Sequence, residues 1–175
     1  LLQALGIPVL EFNEACVRVL PSGIKAKIAR AALECDFLVN LPKVKAHAQM
    51  RVTLAVKNYF GCLSGWHKPW WHMQHGGPQP RFPMLLTELL TILPASYTVV
   101  DGVVAMHVSG PIHGNPFALG LLAGGSNPVA IDTALLAVLN IPCAMSPLWK
   151  AAVQAGYTGT DKRQLVFPLA TPDEL

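Results

Sequence analysis

Charge is scarce in this sequence: Asp, Glu, Lys and Arg make up 13% of its 175 residues, against roughly 25% in an ordinary soluble domain. So little charge cannot coat a whole surface, which implies that part of this one is covered by more protein. Long apolar runs are missing too, although hydrophobic residues reach 52%. A membrane span needs about 20 consecutive apolar residues. The longest uncharged stretch, 102–131, is broken by His107, Pro111, His113, Asn115, Pro116, Asn127 and Pro128, which would strand backbone polar groups in lipid. Cysteines are few and isolated: Cys16, Cys35, Cys62 and Cys143 show no CxxC or zinc-finger spacing. That excludes a disulfide framework and any iron-sulfur motif contained in this chain, and it points to a reducing, cytoplasmic setting. The opening LLQALG lacks an initiating Met and a basic run, so it does not read as a signal peptide. It reads as the inside of a helix, and hence as part of a longer chain.

Acidic residues are absent where they are most conspicuous. No carboxylate lies between Asp36 and Glu88, a stretch that holds Lys43, Lys45, Arg51, Lys57, Lys68 and Arg81 together with His47, His67, His72 and His75. Such a one-sign field concentrates anions. A solvated basic face is the plain alternative. Nucleic acid is disfavoured, because a net charge of +3 falls short of the domain-wide basicity expected of a nucleic-acid binder.

What is present alternates strand-like with helix-like segments, the pattern of an α/β domain with a mixed or mostly parallel sheet flanked by helices. Residues 1–175 read as a single domain. Strands are expected at 7–13, 36–42, 97–102, 118–124 and 165–167, and helices at 23–35, 49–60, 83–93, 128–140 and 147–155. Pro42 would stop the second strand, leaving 43–47 beyond a strand's carboxyl end, where open α/β sheets hold ligands. In a 49–60 helix capped by Gly61, residues Thr53, Lys57 and Phe60 would share a face.

Three constellations carry chemistry. Lys43, Lys45, His47, Lys57 and Asn58 combine ammonium groups, which depress one another's pKa when held close, with an imidazole suited to proton transfer near neutrality. Lys57, Lys45 and His47 are the catalytic candidates, and Lys43 and Asn58 the ligand-holding ones. Simple anion binding is the plainer reading of clustered lysines. The second constellation is the loop GWHKPWWHMQHGG, residues 65–77. Its His67, His72 and His75 are candidate metal ligands, without a carboxylate or thiolate in the loop to complete a site. Its tryptophans suit a lid or an interface. The third, AGGSNPVAID, places Gly124, Gly125 and Ser126 before a helix capped by Asn127 with Pro128 at its first position, an arrangement that favours anions. Asp101, Asp132 and His113 are expected to border the same cleft; the plain readings are a turn for Asp101 and a helix-dipole or lysine partner for Asp132.

The segments DFLVNLPKVKAHAQMRVTLAVKNYFGCLSG and VVDGVVAMHVSGPIHGNPFALGLLAGGSNPVAIDTALLAVLNI resemble the family called domain of unknown function 362. The resemblance rests on Pro-Lys-x-Lys-x-His, Lys-Asn-x-x-Gly and a later Asn-Pro-Val-Ala-x-Asp where an Asp commonly opens the motif. Met106, His107, Val108, Ser109, Gly110 and Pro111 stand at the family's Met-x-Gly-x-Gly-Pro stretch. Many members look fused to a ferredoxin-type iron-sulfur domain, which implies such a domain or protein as a partner. The order of His47, Lys57 and a later His72 or His75 is faintly similar to nickel-pincer lactate racemases, without their Gly-rich stretch before the Lys. Two functions follow as expectations. One is binding of a small carboxylate or phosphate in a Lys/His-lined cleft, with a bound metal or Lys/His acid-base chemistry as extensions. The other is an accessory module for electron transfer or protein docking, with no catalysis of its own.

Overall fold

The computed structural model describes residues 2–65, 71, 81–110 and 113–175. Strand β1 (Ala15–Val19) and β2 (Lys25–Ala29) form an antiparallel hairpin. In β2, Lys25 and Lys27 are exposed while Ala26 and Ile28 are buried, a period of two that overrides the helical spacing expected at 23–35. Helix α1 (Arg30–Glu34) takes up only the second half of that segment. The strand expected at 7–13 is absent: those residues are exposed and irregular, and they join no ladder among the described residues.

A five-stranded mixed sheet forms the body of the fold. It contains β3 (Leu38–Asn40), β4 (Lys43–His47), β5 (Arg51–Thr53), β6 (Ser96–His107) and β7 (Asn115–Gly125). β3 and β4 run parallel to β6, whereas β5 pairs antiparallel with β4 and β7 with β6. Pro42 interrupts β3 without ending the pairing, because its carbonyl still accepts from the Asp101 N–H at 2.8 Å. Chain 43–47 therefore continues along β6 as a strand and does not lie beyond a strand's end.

The segment expected as a 49–60 helix is divided. β-branched Val52 and Thr53 pair with β4, and helix α2 (Ala55–Asn58) runs into a 3-10 turn at Tyr59–Cys62 that contains Gly61. Helix α3 (Arg81–Glu88) and its 3-10 extension to Thr91 match the expected 83–93 element. Helices α4 (Pro128–Val138) and α5 (Pro147–Gln154) also fall where their caps place them. The 165–167 segment is irregular and follows a 3-10 turn at Lys162–Gln164.

Two apolar cores result. One packs Ile28, Phe60, Trp71, Phe82, Leu85 and Leu148 between the hairpin and α3 and α5. The other fits Ile131, Leu135 and Leu136 of α4 against Val44, Val52 and Val100 of the sheet. No described helix is long and apolar enough to cross a membrane.

Candidate functional site

Strand periodicity puts Lys45 and His47 on one face of β4 and Val44 on the other, in the core, while the register with β6 shifts between Lys43, opposite Asp101, and Lys45, opposite Met106. Lys43 Nζ lies 2.8 Å from Asp101 Oδ2, so its charge is already met. The Lys43 hydrogen bond, with a second from the Val103 N–H, holds the Asp101 carboxyl below its ordinary range. Lys45 is half-buried, and no carboxylate among the described residues pairs with it.

Directly across the β4–β5 ladder from Lys45 stands Thr53, and cross-strand partners project to the same side. Thr53 is buried, and its Oγ1 has no hydrogen-bond partner among the described residues. An orphaned buried hydroxyl costs about 1–3 kcal/mol, so its persistence needs an explanation. His47, two residues along β4, is buried, and its Nδ1 accepts from the N–H groups of Gln49 and Met50, both at 3.2 Å. That geometry assigns the ring proton to Nε2. Lys45, Thr53 and His47 thus contribute donors to one ribbon face. Met106 pairs with Lys45 from β6, and the turn that follows packs close: a side chain on Gly110 would collide with the Ala46 backbone, and one on Gly114 with Met106.

Lys57 and Asn58 lie on α2. Lys57 is buried, with Nζ 4.5 Å from the centre of the Phe60 ring and 5.8 Å from that of Phe82, a cation–π arrangement. Of the expected Thr53, Lys57 and Phe60 face, only the last two meet, because Thr53 is in a strand. The Asn58 amide donates to Asn40 Oδ1 at 2.7 Å. Asn40 in turn donates to the Ala55 carbonyl and to Thr98 Oγ1, while the Tyr59 hydroxyl bonds Ser96 and Thr98. Asp132 reaches across from α4 and accepts from the Ala55 N–H at 2.8 Å and the Val56 N–H at 3.4 Å. It caps a helix whose own N-cap, Leu54, has no side chain able to do so. Burial pushes the Asp132 carboxyl up to about 7, against the opposing effect of those two N–H groups.

At the third constellation Asn127 Oδ1 accepts from the Val129 and Ala130 N–H groups at 3.0 and 3.1 Å, as its sequence position implies. Its amide also donates to the Thr158 carbonyl and hydroxyl. Gly124 and Gly125 end β7, and with Ser126 they border an apolar hollow of about 640 Å³ between β7, α4 and residues 164–175. A smaller hollow of about 400 Å³ lies on the other side of Asn127, beside Tyr59, Ser96 and Tyr157. His113 is exposed. His67, His72 and His75 lie outside the described residues, as do Trp66 and Trp70. Among the described residues no three His, Cys, Asp or Glu side chains are placed to hold a metal.

The site residues therefore fall into three groups: the β4–β5 face, the α2 turn held by Asp132, and the Asn127 turn. Sequence reasoning passed over Thr53 as a ligand group. Its signal was available in the alternation of Arg51, Val52 and Thr53, which reads as a strand once the helix is set aside.

A mixed α/β sheet with a cationic ribbon on one face is the class that fold and site define. The chain belongs to the family described as domain of unknown function 362, whose sequence profile matches residues 1–137. It is 36% identical over 176 residues to the thylakoid-associated protein sll1697 of Synechocystis sp., an alignment covering 100% of this chain and 54% of that protein. The chain thus spans about half the length of this curated relative. No solved structure matches it.

Proposed function

We propose that this protein binds a small anionic ligand, a carboxylate or a phosphate, on the β4–β5 face through Lys45, Thr53 and His47. The observation that carries this reading is the buried Thr53 hydroxyl, without a partner, directly opposite a lysine that no described carboxylate neutralises. An anion accepts from both, offsetting the cost of the orphaned hydroxyl and of the half-buried ammonium group. The His47 tautomer, fixed by two backbone donors, carries its proton on Nε2 and makes His47 a neutral N–H donor on the same ribbon. Lys57, held over aromatic rings on a turn capped by the buried Asp132 carboxyl, is the candidate for acid-base chemistry. Lys43, already paired with Asp101, contributes to the field around the site.

Calorimetric titration with inorganic phosphate and with malonate tests the reading. Loss of one charge-assisted hydrogen bond is worth about 1.5–3 kcal/mol, so Lys45→Ala should weaken binding of the preferred probe at least tenfold. Thr53→Val should weaken it several-fold, and Lys43→Ala less than threefold. Wild-type affinity in both the Lys45 and Thr53 variants would sink the proposal.

A further inference from the structure

Among the described residues the sheet has one covered face and one left exposed along β3, β6 and β7. α4 packs on the covered side through Ile131, Leu135 and Leu136. On the other side, Val39 pairs with Tyr97 and Lys43 with Asp101 in one unbroken register, which sets Leu41 beside Val99. On β7, Gly124 lies opposite Val99 and Leu122 opposite Asp101. Tyr97 lies over Gly124 so closely that a Cβ there would meet its hydroxyl at 3.2 Å. Val39, Leu41 and Leu122 are 58%, 67% and 65% exposed, and Tyr97 and Val99 are exposed as well. The charge in this patch, the Lys43–Asp101 pair, is internally neutralised.

We infer that this face is a docking surface for a second, apolar-faced structural layer, of the kind that the longer Synechocystis relative has length to supply beyond the matched stretch. Three observations select that occupant. All-parallel sheets are covered on both faces, and the exposed residues Val39, Leu41, Tyr97 and Val99 lie on the parallel part of this mixed sheet. A contiguous apolar patch on a chain this poor in charge marks an interaction surface, and its neutral centre suits an apolar layer better than a charged partner. The relative contains a counterpart of all of this chain within 54% of its own length, leaving nearly half of it to form such a layer.

Site-resolved maleimide labelling tests the inference. Single cysteines are placed at Leu41 and Leu122 in this chain and at the aligned positions of the full-length relative, with Val153→Cys on α5 and its aligned position as controls. In this chain all three should label within threefold of one another. In the full-length relative the two sheet positions should label at least tenfold more slowly than the control, and light scattering should find this chain monomeric. Equal labelling in the relative overturns the inference. So does protection of this chain alone, whether by a dimer or by phosphatidylglycerol vesicles, since either assigns the face to a different occupant. None of these labelling results depends on phosphate or malonate binding, so failure of either proposal is seen separately.

Discussion

Thr53 and Asp132 are both buried polar side chains, but among the described residues only Asp132 has partners, the backbone donors of Ala55 and Val56. Replacing Thr53 by the isosteric Val removes an unsatisfied hydroxyl, and the fold should gain about 1–3 kcal/mol while anion affinity falls. Urea denaturation beside calorimetry reads both; a loss of stability would show that the hydroxyl serves the fold. Asp132 makes a different demand. Its native carboxyl holds a proton to about pH 7, whereas the unfolded chain's loses it near 4. Between those values unfolding releases a proton, so stability falls as pH rises through the window and is level above it. The full span is on the order of 4 kcal/mol. Asp132→Asn keeps an acceptor for the Ala55 N–H and removes the titration. Its stability relative to the wild type should therefore rise between pH 4.5 and 7.5, as urea unfolding at the two pH values would show. A constant difference would place the ordinary carboxylate pKa at this position. Nothing in the sequence around Asp132 distinguished a remote cap for α2 from a helix-dipole partner, because the contact joins residues 77 positions apart.

The helices that were legible in the sequence are those that carry their own stop and start signals. α4 begins at the Asn127 cap with Pro128 inside it. It ends where Asn140 turns left-handed at φ 51°, with Asn140 N–H to the Ala137 carbonyl and Ile141 N–H to the Leu136 carbonyl, the Schellman pattern. α5 has Ser146 and Pro147 at one end and left-handed Gly156 at the other. Asn127→Ala should cost about 1 kcal/mol, with more lost through its bonds to Thr158. Where such signals were missing, apolar spacing alone misled. The residues at 23–29 and 49–53 fit helix and strand periods almost equally, and only long-range pairing chose the strand. Gly159 offers an element-scale contrast with Gly156. Both have positive φ, but a side chain on Gly156 meets open space, whereas one on Gly159 would sit 2.7 Å from the Ala130 N atom in the first turn of α4. Gly156→Ala should cost about 1–2 kcal/mol from backbone strain alone. Gly159→Ala should cost distinctly more in the same unfolding assay; equal costs would mean that the 157–160 segment is free to move away from α4.

For the whole molecule, the small share of charged residues is distributed unevenly over the sheet's two faces. The alternation of β6 and β7 was visible in their sequences, but which face met α4 was not, because both faces are apolar: Val100 and Leu121 on one, Val99 and Leu122 on the other. A sequence with a polar outer face would have declared its inside. This one withheld the answer because its outer face has the composition of an interior. The difference should be measurable as stability. Leu135, 2% exposed on α4, fills the core against the sheet, and Leu135→Ala should cost about 2–5 kcal/mol through lost burial and the cavity left behind. Leu122→Ala removes an equal side chain from the uncovered face and should change the stability of this chain by less than about 0.5 kcal/mol. Urea unfolding of the two variants at one pH compares them directly. If Leu122→Ala costs as much as Leu135→Ala, the outer face is already packed within this chain, and the low charge of the sequence reflects a second core and not an exposed surface.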